Sequence, residues 1–313
     1  MKKRIKTKTT LSRSDTIVST LLMILALLAS SFIIMIAVFI TARGIMPLIT
    51  NNSGLGTVNL WSFLTETVWL RGDFFVSTLY GAGFLIVNTL YIAFLTILFS
   101  FPIGVLTALY IARIAPKPVS VMLRTIVELL ASVPSIVFGL VGVGLFLPII
   151  YNGARALGFN SAAGYSVIGT VFVLALMSIP TITAVAEVSI RQVDDSLSQA
   201  ALALGATPTQ TNFKIVLLAA KSGIFSGAIL AIGRSLGEAT AVALVSGNAR
   251  SGPSFGLFET TATITSTLLQ GLKETTGIDY DIRFTLGILL MVVILITNAS
   301  LNFVKNKVGG IDA

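Results

Sequence analysis

Six stretches of this chain are largely apolar and long enough to cross a bilayer: Ile17 to Thr41, Phe84 to Ala112, Thr125 to Ile150, Tyr165 to Ala186, Gly223 to Val245 and Phe284 to Phe303. A hydrocarbon core about 30 Å thick is spanned by about 20 helical residues at a rise of 1.5 Å. The pattern therefore predicts an all-α membrane protein with six transmembrane helices. Polar intervals divide it into a basic tail (residues 1–16), a first helix (17–41), an external loop (42–83), a five-helix core (84–303) interrupted by a long loop at 188–222, and a short tail (304–313). The external loop carries Asn51-Asn52-Ser53-Gly54, Trp61 and Trp69 and has room for an interfacial helix. Pro102, Gly104, Pro134, Gly139, Gly142, Gly144, Pro148 and Pro180 punctuate the spans, where such residues let membrane helices kink and pack closely.

Composition agrees with the pattern. The 313 residues are 55% hydrophobic and 11% charged, whereas a soluble domain carries about 25% charged residues. The chain has no Cys and no His, which removes thiol nucleophiles, disulfides, iron-sulfur ligation, His acid-base chemistry and most zinc sites. Neither an enzyme nor a cofactor is expected on that residue set. The net charge of +8 does not point to nucleic acid, because the basic residues are scattered between apolar spans, where they report topology or contact with a lipid bilayer. Fourteen of them fall on the side of the N-terminus and six on the other. The positive-inside rule then places both termini in the cytoplasm. Lys2, Lys3, Arg4, Lys6, Lys8 and Arg13 precede the first span as in a secretory signal. Its apolar run exceeds the roughly 7 to 15 residues of a signal core, so it reads as a retained helix.

Two segments carry more than membrane residence. In the loop 188–222, Asp195 or Ser196 can cap a helix in which Leu197, Ala200, Ala201 and Leu204 share one face. Gly205 stands where a C-terminal cap wants a positive φ, and Thr207-Pro208-Thr209-Gln210 restarts a helix with a capping box. A helix, glycine corner and second helix make a knob that docks into a partner. Lipid is the alternative, but Asp194, Asp195, Ser196 and Ser198 are unlike the Lys- and Arg-rich face that lipid favours.

The second segment is Gly233-Arg234-Ser235-Leu236-Gly237-Glu238 in the fifth span. An ionised side chain at the centre of a span costs about 2.5–3.5 kcal/mol by insertion scales. On a continuous helix the i, i+4 spacing brings Arg234 and Glu238 within ion-pair reach, with Gly233 and Gly237 admitting a neighbouring helix. Two readings stand: a buried pair that only fixes packing, or an anion site in which Arg234 offers planar bidentate donors. In the second, Glu238 accepts the proton of hydrogen phosphate, which sulfate lacks. Glu128, one turn from Arg124, reads as an interfacial ion pair. No Lys-Ser or Lys-Thr pair follows a glycine, so the chain has no phosphate-cradling ATP loop.

The loop resembles the permease subunits of binding-protein-dependent ABC importers, whose motif runs Glu-Ala-Ala, three residues, Gly, nine residues, Ile-x-Leu-Pro. Here it reads Gln199-Ala200-Ala201, Gly205, Ile215, Leu217, with Leu218 for the proline. The stretches Glu128 to Gly139 and Gly233 to Val242 resemble phosphate importers of the PstC type. The resemblance implies a type I importer permease fold. It also implies a second permease subunit, two cytoplasmic ATPase subunits and an external phosphate-binding protein as partners, with inorganic phosphate as cargo. Gln199, Ala200, Ala201, Leu204 and Gly205 would belong to the ATPase-coupling loop and Arg234 and Glu238 to the translocation path. The rivals are a permease for sulfate or molybdate and a secondary anion transporter.

Overall fold

The computed structural model describes residues 13–52, 56–70, 80–272 and 274–309. Lys2, Lys3, Arg4, Lys6 and Lys8 of the tail, Ser53, Gly54, Arg71 and Lys273 lie outside the described residues. In chain order the helices are α1 (Arg13–Ile49), α2 (Leu60–Thr65), α3 (Gly83–Ile114), α4 (Lys117–Ser132), α5 (Ser135–Ala156), α6 (Val167–Arg191), α7 (Asp195–Ala203), α8 (Pro208–Ala219), α9 (Lys221–Gly237), α10 (Thr240–Val245), α11 (Ile264–Leu269) and α12 (Ile278–Gly309). Among the described residues the only β pairing is in isolated bridges. Five of these helices, α1, α3, α5, α6 and α12, are long and apolar enough to cross a membrane. The count reaches six when α8 and α9, bent by 67° across Ala220, are taken as one span.

The third expected span, Thr125 to Ile150, is two helices. Val133 is extended, at φ −67° and ψ 128°, as a residue before proline is driven to be. The crossing helix is the later one, α5. It contains a π turn at Gly142–Phe146, one of three in the chain together with Tyr110–Ile114 and Thr211–Val216 among the described residues. The helix α2 occupies the loop in which an interfacial helix had room, and Asn59 caps it by accepting from the Trp61 and Ser62 amides.

Of four buried apolar clusters among the described residues, the two largest lie one at each end of a shaft made by α3 and α6. At one end Phe63, Trp69, Tyr80, Phe84, Ile264, Ile282 and Leu286 are buried together. At the other, Val105 and Leu109 of α3, Ile182 and Ile190 of α6, Val216 of α8 and Ile224 of α9 form a second cluster. Gly104 permits the close approach in the shaft: a Cβ there would lie 2.8 Å from Ile182 Cγ2. Thr183 Oγ1 donates to the Gly104 carbonyl at 3.2 Å across the same contact. The helix α1 lies outside the bundle with its apolar side chains exposed, and touches it at Gly44, where Thr285 Oγ1 donates to the carbonyl at 2.7 Å.

The chain after α10 does not simply connect. It folds back between helices and inserts α11, in which Ile264, Thr265, Ser266 and Thr267 are buried. Two polar residues of α3 hold it. Asn88 donates to the Ala262 carbonyl at 3.3 Å and accepts from the Ser254 amide at 3.0 Å, and Thr89 Oγ1 accepts from the Ile264 amide at 3.0 Å. Buried backbone groups need such partners, so an amide side chain inside an apolar run is here the anchor of an inserted loop.

At the end that holds α7, Glu187 is buried and binds both Arg124 and Arg191: Arg191 Nε donates at 2.8 Å, Arg124 Nε at 3.1 Å, and Arg124 adds a second, shorter bond from its amino nitrogen. This replaces the Arg124–Glu128 pair expected from sequence spacing. Glu128 lines a cavity together with Arg124, Glu187 and Arg191 but makes no ion pair among the described residues. A carboxylate on a packed neighbouring helix, fixed by a second arginine one turn away, outcompetes one on the same exposed helix. Glu187→Gln is expected to destabilise the protein by about 2 kcal/mol. That is below the usual loss for breaking a buried pair, because both guanidinium groups keep substantial solvent contact. Thermal unfolding in detergent checks it, with Glu128→Gln expected to leave the transition in place.

Candidate anion path and coupling surface

Helix α9 stops at Gly237, and Glu238 is extended at φ −74° and ψ 119°. The expected i, i+4 ion pair therefore does not form, since its geometry needs a continuous helix. Arg234 sits in the last turn of α9, exposed, with no hydrogen bond or ion pair among the described residues. Gly237 has nothing within 4 Å of where its Cβ would be, and Gly233 only Asn298 Oδ1 at 3.8 Å. This face of α9 is open in the isolated chain.

The break is stabilised by side chains around it. Glu238 Oε1 accepts from Thr240 Oγ1 at 2.9 Å and from the Ala241 amide at 3.1 Å, so the carboxylate caps α10 where free N–H groups favour negative charge. Thr265 Oγ1 of the inserted α11 donates to the Glu238 carbonyl at 2.7 Å, which occupies the backbone acceptor that unwinding frees. Thr240 and Ser135 oxygens are 2.9 Å apart. Because the Thr240 proton goes to Glu238, Ser135 is the donor of that bond. Ser178 and Ser235 pair at 3.1 Å one turn earlier. Gly139 and Gly142 of α5 let α10 pack close, a Cβ on Gly139 falling 3.0 Å from Ala241 Cα. Glu238 Oε2 has no hydrogen-bond partner among the described residues. The result is a half-helix end whose guanidinium has no partner among the described residues, a capped carboxylate with one open oxygen, and, nearby in the chain, Thr240 and Ser235 in hydroxyl pairs with Ser135 and Ser178. Discontinuous membrane helices place ion-binding groups in this way.

The knob is formed as its local signals require. Asp194, one residue before the two expected caps, accepts from the Ser196 amide at 2.8 Å, and this bond holds its carboxyl below the ordinary carboxylate range. Asp195 is instead bound to Arg113 Nη1 at 2.7 Å, while Arg113 Nη2 donates to the Ile190 and Val193 carbonyls. That ties the knob to the ends of α3 and α6. At the other end Gly205 has φ +86°. Its amide donates to Leu202 O at 3.0 Å and that of Ala206 to Ala201 O at 3.1 Å, the paired bonds of a Schellman close. Thr207 and Gln210 form the capping box. Gln199, Ala200, Leu204 and Gly205 are exposed, Ala201 is half-buried, and Leu204 is 90% exposed. Leu218, at the motif's proline position, is also exposed.

Sequence reasoning assigned no role to Thr240, Ser135, Thr265 or Glu187, although Ser135 and Thr240 lie within the two stretches that carry the resemblance and Glu187 stands as an acid directly after an apolar run.

Residues 100–309 match the family of binding-protein-dependent transport system inner membrane components. A probable ABC transporter permease protein YqgH from Bacillus subtilis is 31% identical over 186 residues, 59% of this chain and 58% of that protein. The phosphate transport system permease protein PstC from Pasteurella multocida is 31% identical over 199 residues, 59% of this chain and 62% of that protein. The chain thus spans about three fifths of the length of these relatives. In fold it is similar to a bacterial ABC transporter involved in the import of the acidic polysaccharide alginate, with a TM-score of 0.61 at 19% identity over 95% of this chain and 99% of that one. The architecture is that of a type I ABC importer permease, and the chain, a multi-pass membrane protein, belongs to the family of binding-protein-dependent transport system inner membrane components.

Proposed function

We propose that this chain is one of two permease subunits of an ATP-driven importer and conducts inorganic phosphate into the cytoplasm along Arg234 and Glu238. The observation that carries this reading is Arg234, a guanidinium with no partner among the described residues in the last turn before a break in a membrane helix, four residues ahead of a carboxylate with one open oxygen. Relatives named as phosphate permeases support the choice of cargo. A second permease subunit covers the open face of α9. Two cytoplasmic ATPase subunits hold α7 through Gln199, Ala200, Ala201, Leu204 and Gly205 and supply the hydrolysis for which this sequence has no phosphate loop. An external phosphate-binding protein delivers the anion. The excess of basic residues puts α7 and both termini on the cytoplasmic side of the cell membrane. Uptake by vesicles holding the assembled transporter, with and without ATP and across phosphate, sulfate and molybdate, tests the proposal. ATP-independent uptake, or uptake of another oxyanion alone, overturns it.

Glu238 sets the choice between oxyanions. Oε1 is occupied by Thr240 and Ala241, so Oε2 is left to accept the P–OH proton of hydrogen phosphate. Sulfate has no such proton and faces the carboxylate unpaired, a loss that a polar site turns into strong rejection. Glu238→Gln keeps an acceptor for the cap and presents a donor in place of Oε2. Sulfate is then expected to inhibit phosphate uptake about tenfold more effectively, the scale of one hydrogen bond gained. Unchanged phosphate uptake with unchanged sulfate exclusion would sink this role.

A further inference from the structure

A second polar cavity, of about 290 Å3, lies just beyond α10, where Asn248, Arg250, Thr267, Gln270 and Arg283 surround a space against Trp69. It is distinct from Arg234 and Glu238, yet α11 links the two places. Thr265 of that helix bonds the Glu238 carbonyl, and Thr267, two residues on, lines the cavity. Among the described residues the lining holds two guanidinium groups and no carboxylate. Arg283 is 2% exposed and is fixed in place by the carbonyls of Gln270, at 3.0 and 2.8 Å, and of Asp279. Arg250 differs. Its carbonyl accepts from the Trp69 amide at 2.7 Å, so its backbone is pinned, but its exposed side chain has no hydrogen bond or ion pair among the described residues. Gln270 and Thr267, both with polar side chains, line the same space. An arginine with no ion pair among the described residues, at a concave site whose described lining holds no acid, has the chemistry of a small oxyanion site.

We infer that this cavity receives an inorganic tetrahedral oxyanion at the outer mouth of the path, with Arg250 as its binding cation, before the anion reaches Arg234. The inference rests on the orientation and cargo proposed above. It also divides the labour between two sites. Among the described residues the cavity lining has no carboxylate to accept a P–OH proton, so the outer cavity is proposed to take phosphate and sulfate alike, with discrimination left to Glu238.

The chain has no cysteine, so one placed at Ala249, which lines the cavity, reports its occupancy. In the assembled transporter in membrane vesicles, labelling of Ala249→Cys by N-ethylmaleimide is measured with inorganic phosphate, with sulfate, or with chloride at matched ionic strength. At about four times its Kd an occupant leaves about one fifth of sites open, so phosphate and sulfate are each expected to slow labelling about fivefold. Arg250→Gln in the same background is expected to abolish that protection. Thr267→Cys is labelled as a second position, so that a failure of one variant to assemble still leaves a reading. Absence of protection, or protection that survives Arg250→Gln, overturns the site, and protection by phosphate without sulfate overturns its lack of discrimination. Phosphate uptake, and background labelling, are measured alongside on the transporter carrying the unsubstituted chain. If protection is seen without uptake, the proposed cargo fails and the anion cavity stands.

Discussion

Arg234→Ala is expected to reduce phosphate uptake by about 100-fold or more while leaving the transporter assembled. A charge-assisted bidentate contact is worth about 3 kcal/mol, and that loss in a transport barrier corresponds to about two powers of ten. Assembly survives because Arg234 makes no hydrogen bond or ion pair among the described residues, so its removal leaves no partner stranded. Arg234→Lys separates charge from geometry. An ammonium keeps the attraction but not the planar fork, and partial uptake is expected. The measurement is uptake of labelled phosphate with subunit co-purification on the same membranes. Full uptake by Arg234→Ala would remove this residue from the path.

Leu204→Glu is expected to uncouple the transporter, with uptake and binding-protein-stimulated ATP hydrolysis both falling about tenfold or more. Leu204 is 90% exposed at the end of α7, so a charge there costs the free chain little. Seated in an apolar groove of an ATPase, the same carboxylate loses about 2–3 kcal/mol of apolar burial and is desolvated without a partner. Leu204→Met, similar in volume, should restore coupling. Normal coupling in Leu204→Glu would mean that the ATPase grips another face of the knob. The bond from Asp195 to Arg113 and the close at Gly205 hold the knob rigid against α3 and α6. In the proposed transporter a push on α7 is expected to reach α3 and α6, a rigid-body coupling between two states.

Features set by neighbours along the chain were legible from the sequence. Most apolar runs identify crossing helices because the bilayer imposes a length and a polarity on each segment separately, but the third run is broken at Val133 and the fifth at Glu238. The glycine close at Gly205 and the Thr207–Gln210 capping box were equally readable, since the partners of each lie within six residues. That Arg234 and Glu238 stand four residues apart inside an apolar run was legible too. Their relationship was not. The helix ends between them because Thr265, 27 residues further on, takes the Glu238 carbonyl and because the carboxylate turns to cap α10. Neither contact leaves a mark in the local pattern. Similarly, Arg124 has an acid one turn away in Glu128, yet bonds Glu187 on α6, a partner 63 residues distant. The insertion of α11 under Asn88 and Thr89, and the cavity around Arg250 that follows from it, exist only because distant segments meet. What the sequence by itself determined was which segments are helical and membrane-soluble and which local turns join them. The tertiary structure decided which polar groups are paired and which are left open, because a hydrogen bond or ion pair goes to whichever partner packing brings close, not to the one nearest in the chain.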